Sequence, residues 1–336
     1  NRARTQAARL IGARPDEIYF TSGGSESDNW AIKSFSRSIR KKRMGASCHI
    51  ITTSIEHNAV LNSCRTLESE GFTVTYLPCD KYGFIHPETL QAAIRDDTIL
   101  ISVMAANNEV GSIQPLKAIG QIARRHQIVF HTDAVQAYGH IPININECMI
   151  DMLSMSAHKL HGPKGVGFLY IRNGLELPSY IDGGSQENGH RAGTSNVPGI
   201  VGLGKACEIA ARNMQKNINS MTRLRNRLIY QIRQGLPNAV LTGSEQMRLP
   251  NNVSFCFPGV ESAQLLSILD SHGICASAGS ACSTGAAGPS HVLIAMGIDY
   301  NLAGGSLRLT LSGENTMQEV DFVAETVIKS VKRLSI

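Results

Sequence analysis

The stretch HIITTSIEHNAVLNSCRTLESEGFTVTYL, residues 49–77, decides the fold class. It opens with a β-branched run over residues 49–53 and continues with a helical apolar pattern over residues 58–70. It closes with a second β-rich run over residues 73–77. Two strands of one sheet that are joined through a helix run parallel to each other. The stretch therefore predicts a βαβ unit and a fold of the α/β class.

The same alternation extends on both sides of residues 49–77. Further β-rich runs occupy residues 18–20, 99–104, 128–133, 152–156 and 167–171, and helical patterns occupy residues 26–40, 87–94 and 116–126. Together they predict a large domain with a mostly parallel seven-stranded sheet covered by helices. Ligands of such sheets bind in the loops at the carboxyl ends of the strands, so polar clusters at those ends are candidate site residues.

A second, smaller unit follows a long helical pattern over residues 199–234. It contains β-rich runs at residues 252–257 and 307–311 and helical patterns at residues 262–270 and 317–333, which predicts a smaller α+β C-terminal domain. No low-complexity linker separates the units. We therefore expect a large domain over residues 1–210 and a small domain over residues 211–336, with the boundary inside the long helix.

Composition and charge exclude several classes of protein. The 336 residues are 42% hydrophobic and 18% charged, which is ordinary for a globular protein and argues against disorder. No apolar run approaches the roughly 18–20 residues that span a bilayer, so we expect no membrane insertion. The densest basic run, RSIRKKR over residues 37–43, lacks aromatic interleaving and a recognisable reading motif, so we expect no nucleic-acid partner.

The cysteines and the start of the chain carry two further expectations. The eight cysteines form no C-x-x-C pair and no paired zinc spacing, which favours a reducing, cytoplasmic location and predicts no metal site. The chain opens with NRARTQAARLIGA, which resembles the middle of an amphipathic helix. We therefore expect that an N-terminal segment is missing from it.

Residues 21–27, Thr-Ser-Gly-Gly-Ser-Glu-Ser, lie between a predicted strand and a predicted helix. Small residues let the backbone approach an anion, and the N–H groups at a helix start would face it, so phosphate binding is one interpretation. An ordinary N-cap with Glu26 in the first turn is the other. The stretch matches neither a Walker A loop nor a dinucleotide fingerprint, which disfavours nucleotide binding.

Two strand ends supply candidate catalytic groups. Asp133 ends the run over residues 128–133, where it either caps the next turn or faces the protonated nitrogen of a heterocyclic cofactor. Lys159 follows the run over residues 152–156, with Ser156 and His158 as candidate phosphate donors and a Gly/Pro loop behind it. A lysine held where its charge is disfavoured has a lowered pKa and can form a Schiff base. Lys164 competes for this role, although the glycines beside it favour a turn.

His57 and Asn108 occupy similar positions after the strands over residues 49–53 and 99–104, where a helix cap or a packed side chain is the alternative to a functional role. Cys282 lies in the small, polar, glycine-bearing stretch AGSACSTG, residues 278–285, which predicts a flexible, exposed loop. An exposed thiol on such a loop is a candidate for reactivity. The other seven cysteines lie mostly in apolar contexts or at element ends and are interpreted as structural.

Taken in order, these segments resemble the cysteine desulfurase family of the NifS/IscS type, within the class-V aminotransferase group. The matching strings span residues 20–312 and are FTSGGSESDN, SIEHNAV, NNEVGSIQP, HTDAVQAYGHIPI, SAHKLHGPKGVGFLY, GGSQENGHRAGTSN, SAGSACSTG, PSHVL and SLRLTLS. The resemblance implies a pyridoxal 5'-phosphate (PLP)-dependent transferase of fold type I that acts as a homodimer. Such an enzyme converts L-cysteine to L-alanine and leaves a persulfide for a sulfur acceptor, such as an iron–sulfur scaffold protein.

The resemblance also implies roles for individual residues. Lys159 would bind the cofactor and move protons, Asp133 would pair with the pyridine nitrogen, and His57 would stack on the ring and act as an acid or base. Gln136 would contact the ring hydroxyl. The residues that would hold the phosphate are Gly24, Ser25, Ser156, His158 and, reaching in from the partner subunit, Thr194.

The remaining implied roles concern the substrate. Arg308 would bind its carboxylate, Asn108 would lie beside cofactor and substrate, and Cys282 would attack its sulfur. The chain departs from the family in carrying Gly24-Ser25 where Ala-Thr or Gly-Thr is usual, a change that keeps the hydroxyl and predicts little effect. It also lacks the family's opening segment of the type YLDNAATT, which helps to line the active site.

Two other hypotheses stay open at this point. A selenocysteine lyase or an aminotransferase would share the fold, and Cys282 is the residue that discriminates between them and a desulfurase. A catalytically inactive sulfur-carrier scaffold is the third hypothesis, and the combination of Lys159, Asp133, His57 and Arg308 argues against it.

Overall fold

The structure, a computed structural model, describes residues 1–279 and 288–335, and the predicted nucleophile Cys282 lies outside the described residues. The strands are β1 (Ile18–Thr21), β2 (His49–Thr53), β3 (Thr73–Leu77), β4 (Thr98–Ser102), β5 (Val129–Asp133), β6 (Met152–Ser156), β7 (Gly167–Ile171), β8 (Val240–Leu241), β9 (Asn252–Cys256) and β10 (Ser306–Thr310). The α-helices are α1 (Arg2–Arg9), α2 (Gly24–Asn29), α3 (Phe35–Lys42), α4 (Asn58–Ser69), α5 (Pro87–Ala93), α6 (Leu116–Arg125), α7 (Val197–Gly235), α8 (Ser262–Ser271), α9 (His291–Ala295), α10 (Tyr300–Gly304) and α11 (Met317–Leu334).

The chain divides into two compact units. The first, which we call the sheet unit, comprises residues 1–77, 85–105 and 114–214. The second, which we call the C-terminal unit, comprises residues 78–84, 106–113 and 215–336. Two short segments from the first half of the sequence therefore fold with the C-terminal unit. The predicted boundary between a domain of residues 1–210 and a domain of residues 211–336 stays a prediction.

The sheet unit contains the predicted seven-stranded sheet. The strand order is β1-β7-β6-β5-β4-β2-β3. Strands β3, β2, β4, β5 and β6 pair in parallel, and β7 runs antiparallel to both of its neighbours, β6 and β1. The prediction of an α/β fold with a mostly parallel sheet is thus confirmed. Strands β2, β4, β6 and β7 are buried along their whole length, as expected where helices cover both faces of a sheet.

The helix predicted over residues 26–40 is a longer run with an irregular centre. A π-helical segment, Trp30–Ser34, separates α2 from α3. Trp30, Ala31 and Ile32 are all buried, and the Trp30 Nε1 donates to the carbonyl of Pro178 at 2.8 Å. Three consecutive buried residues do not fit one face of an α-helix, and the wider π turn accommodates them.

Glycine lets β7 pack closely against the loop that follows β1. A Cβ atom on Gly167 would lie against the carbonyl oxygen of Met155 and 2.8 Å from the Cα of Gly23. Gly23 itself has a φ of 151°, a conformation that L side chains rarely adopt. Residues 22–25 are thereby held at the carboxyl end of the sheet.

The C-terminal unit has its own sheet and core. Strands β10, β9 and β8 form a three-stranded antiparallel sheet. Its largest hydrophobic cluster includes Leu228, Phe255, Leu265, Leu307 and Val327, which come from α7, β9, α8, β10 and α11. Across the described ranges, 1–279 and 288–335, no helix is both long and apolar enough to cross a membrane.

Candidate active site

The carboxyl ends of β1, β2, β5 and β6 lie at one edge of the sheet, because these four strands run in the same direction. This edge carries most of the predicted site residues. Gly24 and Ser25 follow β1, His57 follows β2, Asp133 ends β5, and Lys159 follows β6.

Asp133 is buried at this edge. The backbone N–H of Val135 donates to its Oδ1 at 2.9 Å. Burial raises the pKa of the Asp133 carboxyl, while the Val135 hydrogen bond and the charges of His57 and Lys159 oppose that rise. Asp133 thus caps its turn and also interacts with His57 and Lys159, the other two predicted catalytic residues of this edge.

His57 is both a helix cap and a member of the site. Its Nδ1 accepts a hydrogen bond from the backbone N–H of Ala59 at 3.1 Å, so it starts helix α4. One of its ring nitrogens also lies within 4.8 Å of a carboxylate oxygen of Asp133.

Lys159 lies in a short 3-10 turn, Ala157–Leu160, that follows β6 directly. The turn is fixed at both ends, since the Ala157 N–H donates to the Val166 carbonyl and the Gly162 N–H donates to the Ala157 carbonyl, both at 3.0 Å. Lys159 is half-buried, whereas Lys164 is exposed in the turn that the neighbouring glycines predicted.

The loop of residues 22–25 meets the other strand ends through close backbone packing. A Cβ atom on Gly24 would lie 2.6 Å from Val135 Cγ2, and one on Gly23 would lie 3.5 Å from the Ser156 Oγ. Ser156 is buried, and Ser25 and His158 are exposed. Gly23 is the N-cap of α2 and Glu26 lies in its first turn, so the capping interpretation describes the local geometry. Phosphate binding by these residues stays a prediction.

Glu26 is paired with a residue that the sequence did not identify, Arg191. The Arg191 guanidinium binds the Glu26 carboxylate through two hydrogen bonds, at 2.8 and 3.0 Å, and the Ser22 N–H donates to the same carboxylate at 2.9 Å. Burial acts to raise the pKa of Glu26, but these hydrogen bonds outweigh it and the pKa is lowered. The pairing neutralises the negative charge next to the candidate phosphate loop.

Thr194 and Gln136 are the other predicted cofactor residues of the sheet unit. Thr194 is exposed and lines a cavity of about 210 Å³ together with Ser22, Glu187 and Arg191. Gln136 is half-buried in the turn after β5. The reach of Thr194 into a partner subunit and the contact of Gln136 with a ring hydroxyl stay predictions.

Asp28, on α2, is a second buried acid that the sequence did not identify. One ligand-type atom each of Asp28, His57 and Asp133 lies within 4.8 Å of the other two, so Asp28 belongs to the same cluster as the predicted cofactor residues. In the sequence, Asp28 belongs to a helix start rich in polar residues, where an acid is usually exposed. Its burial follows from the packing of α2 on the sheet.

In the C-terminal unit, the two predicted substrate residues lie together. Arg308 on β10 pairs with Ser277 through two backbone hydrogen bonds, and its Nη1 donates to the Asn108 carbonyl oxygen at 2.8 Å. The Asn107 Oδ1 fixes the turn that carries Asn108, because it accepts from the N–H groups of Glu109 and Val110 at 2.8 and 3.0 Å.

The donor set at the sheet edge fits pyridoxal 5'-phosphate. A buried carboxylate, Asp133, matches a protonated ring nitrogen, and His57 is an aromatic side chain beside it. Lys159 is an amine close enough for its charge to stabilise the Asp133 carboxylate. Residues 22–25 supply small side chains and a helix start, to which an anionic phosphate group is suited.

Comparisons with known proteins give one consistent answer. The family model described as aminotransferase class-V matches residues 1–323. The "Cysteine desulfurase IscS" of Methanosarcina thermophila is 52% identical over 334 residues, which cover 99% of this chain and 81% of that relative. A solved structure titled "NIFS-LIKE PROTEIN" matches with a TM-score of 0.90 and 39% identity, over 98% of this chain and 86% of that one. A structure titled "SspA in complex with cysteine" matches with a TM-score of 0.79 and 37% identity, over 94% and 87% of the two chains.

Proposed function

The chain belongs to the aminotransferase class-V family and to the cysteine desulfurases within it, and on this premise we propose how it removes sulfur from L-cysteine. We propose that it uses pyridoxal 5'-phosphate, releases L-alanine and carries the sulfur as a persulfide on Cys282. The observation that supports this most directly is the grouping of Asp133, His57 and Lys159 at one edge of the sheet.

The cofactor is supported by the donor set described above. When bound, pyridoxal 5'-phosphate withdraws electrons from the substrate carbon, which carbon–sulfur cleavage requires. Asp133 would meet the ring nitrogen, and the Val135 N–H and the charge of Lys159 favour its ionised form against the effect of burial. Lys159 would hold the cofactor and move protons at the substrate carbon, and His57 would act as an acid or base. Gln136 would contact the ring hydroxyl.

The phosphate and the substrate are bound by residues of complementary charge and shape. Gly24, Ser25, Ser156 and His158 would hold the phosphate, and Thr194 of the partner subunit would contribute to it in a homodimer. The Arg308 guanidinium binds the substrate carboxylate in a bidentate manner, and the Asn108 side chain lies beside it. These assignments rest on the family resemblance.

The sulfur transfer is a displacement on sulfur. The Cys282 thiolate attacks the sulfur of bound cysteine, a sulfur–sulfur bond forms, and the carbon–sulfur bond breaks. The electron pair of the broken bond remains with the carbon, and protonation there completes the methyl group of L-alanine. The persulfide then passes to an acceptor, which we propose is an iron–sulfur scaffold protein. The seven described cysteines are all free thiols, which suits the reducing, cytoplasmic location that we propose.

Reduction of the cofactor-loaded protein with borohydride tests the assignment of Lys159. A Schiff base becomes a stable secondary amine, so peptide mass spectrometry identifies the lysine that held the cofactor. We expect the label on Lys159 and its loss in the Lys159→Ala variant.

Lys164→Ala is the matched control, because Lys164 lies in the same loop and is exposed. This variant should be labelled like the parent protein. A label on Lys164, or a full-length protein that never takes up the cofactor, contradicts the proposal.

A further inference from the structure

Asp28 is a buried acid that the proposed mechanism does not use. Its side chain is 1% exposed, and within the described parts of the chain its Oδ1 has no hydrogen-bond partner. A carboxylate buried in this way is costly unless it is paired or protonated. The burial of the Asp28 carboxyl therefore requires a physical explanation.

Its neighbours on the sheet bring no positive charge to its free oxygen. His131 of β5 lies closest, with its Nε2 at 3.7 Å from the Asp28 Oδ1. Both ring nitrogens of His131 are hydrogen-bonded to serine hydroxyls, of Ser102 at 2.9 Å and Ser154 at 3.0 Å. Burial lowers the pKa of His131 to about 3, so the ring is neutral at physiological pH.

The acid nearest to Asp28 adds negative rather than positive charge. Asp133 has an oxygen within 4.8 Å of an Asp28 oxygen. Burial, followed by the charge of Asp133, raises the pKa of Asp28 well above its ordinary value, and Ser154 offsets only part of the rise. The positive charge of Lys159 acts on Asp133, whereas a ring nitrogen of His57 lies within 4.8 Å of both acids.

The two acids therefore differ in what stabilises their ionised forms. Asp133 has the Val135 N–H and the charge of Lys159, whereas Asp28 has the Ser154 hydroxyl. Two carboxyls that share a low-dielectric site do not both ionise, and the proton stays on the one with fewer stabilising partners. That residue is Asp28.

We propose that Asp28 is a positioning residue of the cofactor site, a neutral carboxylic acid that leaves Asp133 as the negative charge meeting the ring nitrogen. The inference rests on the proposed function, since it concerns how Asp133 is prepared for the cofactor. A protonated Asp28 is a polar group that packs beside Asp133 without adding a second charge.

Binding of pyridoxal 5'-phosphate to the cofactor-free protein tests this role through two substitutions. Asp28→Asn keeps a neutral polar group of the same shape, and we expect a dissociation constant within about twofold of the parent value. Asp28→Leu keeps the branching at Cγ but replaces the polar group with a larger apolar one, and we expect binding to be weaker by about tenfold or more. Asp96→Asn, at an exposed aspartate of the same unit, is the control and should bind like the parent.

The pH dependence of unfolding of the cofactor-free protein reports whether Asp28 is protonated in the folded state. A carboxyl whose pKa is higher in the folded state stabilises that state at low pH, and the stabilisation is lost as the pH rises toward the raised pKa. The urea midpoint of the parent should therefore fall relative to that of Asp28→Asn as the pH rises above the ordinary aspartate pKa of about 4. Infrared absorption by protonated carboxyls in the parent protein at pH 7 should also be stronger than in Asp28→Asn.

Each contrary result overturns the inference. If Asp28→Asn weakens cofactor binding as much as Asp28→Leu does, the charge of Asp28 matters and the acid is not neutral. If Asp28→Leu binds as well as the parent, Asp28 does not position Asp133. The absence of protonated-carboxyl absorption from the parent protein at pH 7 contradicts the inference even if the variants fail to fold. A parent protein that never binds the cofactor overturns the proposed function, which distinguishes the two failures.

Discussion

Asp133 shows how the position of a residue determines its chemistry. The carboxylate ends a strand, accepts from the Val135 N–H and is buried among groups that favour its charge. Burial raises the pKa of Asp133, and the Val135 N–H and the charge of Lys159 act against that rise.

Removal of this charge should lower the rate of the reaction strongly. We expect Asp133→Asn to reduce the rate of L-alanine formation by about a hundredfold or more, because a preorganised charge at the ring nitrogen is lost while the side-chain shape is kept. Alanine release at saturating cysteine and cofactor is the measurement, with Asp96→Asn as control. A variant with at least a tenth of the parental rate would show that Asp133 does not carry this role.

Glu56 makes a separate prediction about pH and stability. Its Oε1 accepts from the Thr53 hydroxyl and the Met104 N–H, both at 2.9 Å, and burial raises its pKa from 4.5 to about 8. The folded state therefore holds a proton that the unfolded state releases, so stability is lost as the pH rises between those two values.

The Glu56→Gln variant keeps the accepting oxygen and removes the titration. We expect the parent protein to lose stability relative to this variant between about pH 5 and pH 8, as measured by urea unfolding of the cofactor-free protein at a series of pH values. Glu88→Gln, at an exposed glutamate, is the control. Parallel pH profiles for the parent and Glu56→Gln would contradict a raised pKa.

At the residue scale, the sequence predicted the positions of residues that lie at strand ends. It missed residues whose contacts join segments far apart in the sequence. Lys159 and Asp133 follow apolar runs directly, so the position of each at a strand end could be predicted. Arg191 meets Glu26 across 165 residues of sequence. The burial of Asp28 likewise depends on how α2 packs on the sheet.

At the scale of elements, periodicity predicted the strands well and the irregular helices poorly. Strands β2, β3, β6 and β7 have the predicted bounds, because each is a compact apolar or β-branched run. The π-helical segment Trp30–Ser34 shows no such periodicity, because its first three residues are all buried. The short elements β8, α9 and α10 are too brief to show a period.

The close packing of β7 on the loop after β1 gives a test at this scale. Gly167→Ala would place a Cβ against the Met155 carbonyl and 2.8 Å from the Gly23 Cα, both of them backbone atoms that cannot rotate away. We expect a loss of about 1–3 kcal/mol in the free energy of unfolding, measured by thermal or urea denaturation.

The control is Gly304→Ala, at a glycine in helix α10 with nothing within 4 Å of the added Cβ. Alanine is favoured in helices, so this variant should be neutral or slightly stabilised. An equal and small effect of the two substitutions would contradict the packing account.

At the scale of the whole molecule, each of the two compact units is built from segments that are not continuous in the sequence. Residues 78–84 and 106–113 belong to the C-terminal unit although they are interspersed among the strands of the sheet unit. Contacts such as the 3.0 Å hydrogen bond from Asn252 Nδ2 to the Glu109 carbonyl join segments 143 residues apart. A hydrophobic pattern, which reports on local structure, carries no information about such pairs.

The central claim is that the molecule moves sulfur from cysteine onto Cys282, and one measurement tests it most directly. The cofactor-loaded, full-length protein is incubated with sulfur-labelled L-cysteine, and its free thiols and persulfides are alkylated and located by peptide mass spectrometry. Cys275→Ser serves as the matched control, because Cys275 is an exposed thiol close by in the sequence. We predict labelled persulfide on Cys282, one equivalent of L-alanine for each labelled sulfur, and the same outcome in Cys275→Ser. Labelled persulfide on Cys275 instead, or sulfide release that continues at the parental rate in Cys282→Ser, would contradict the account.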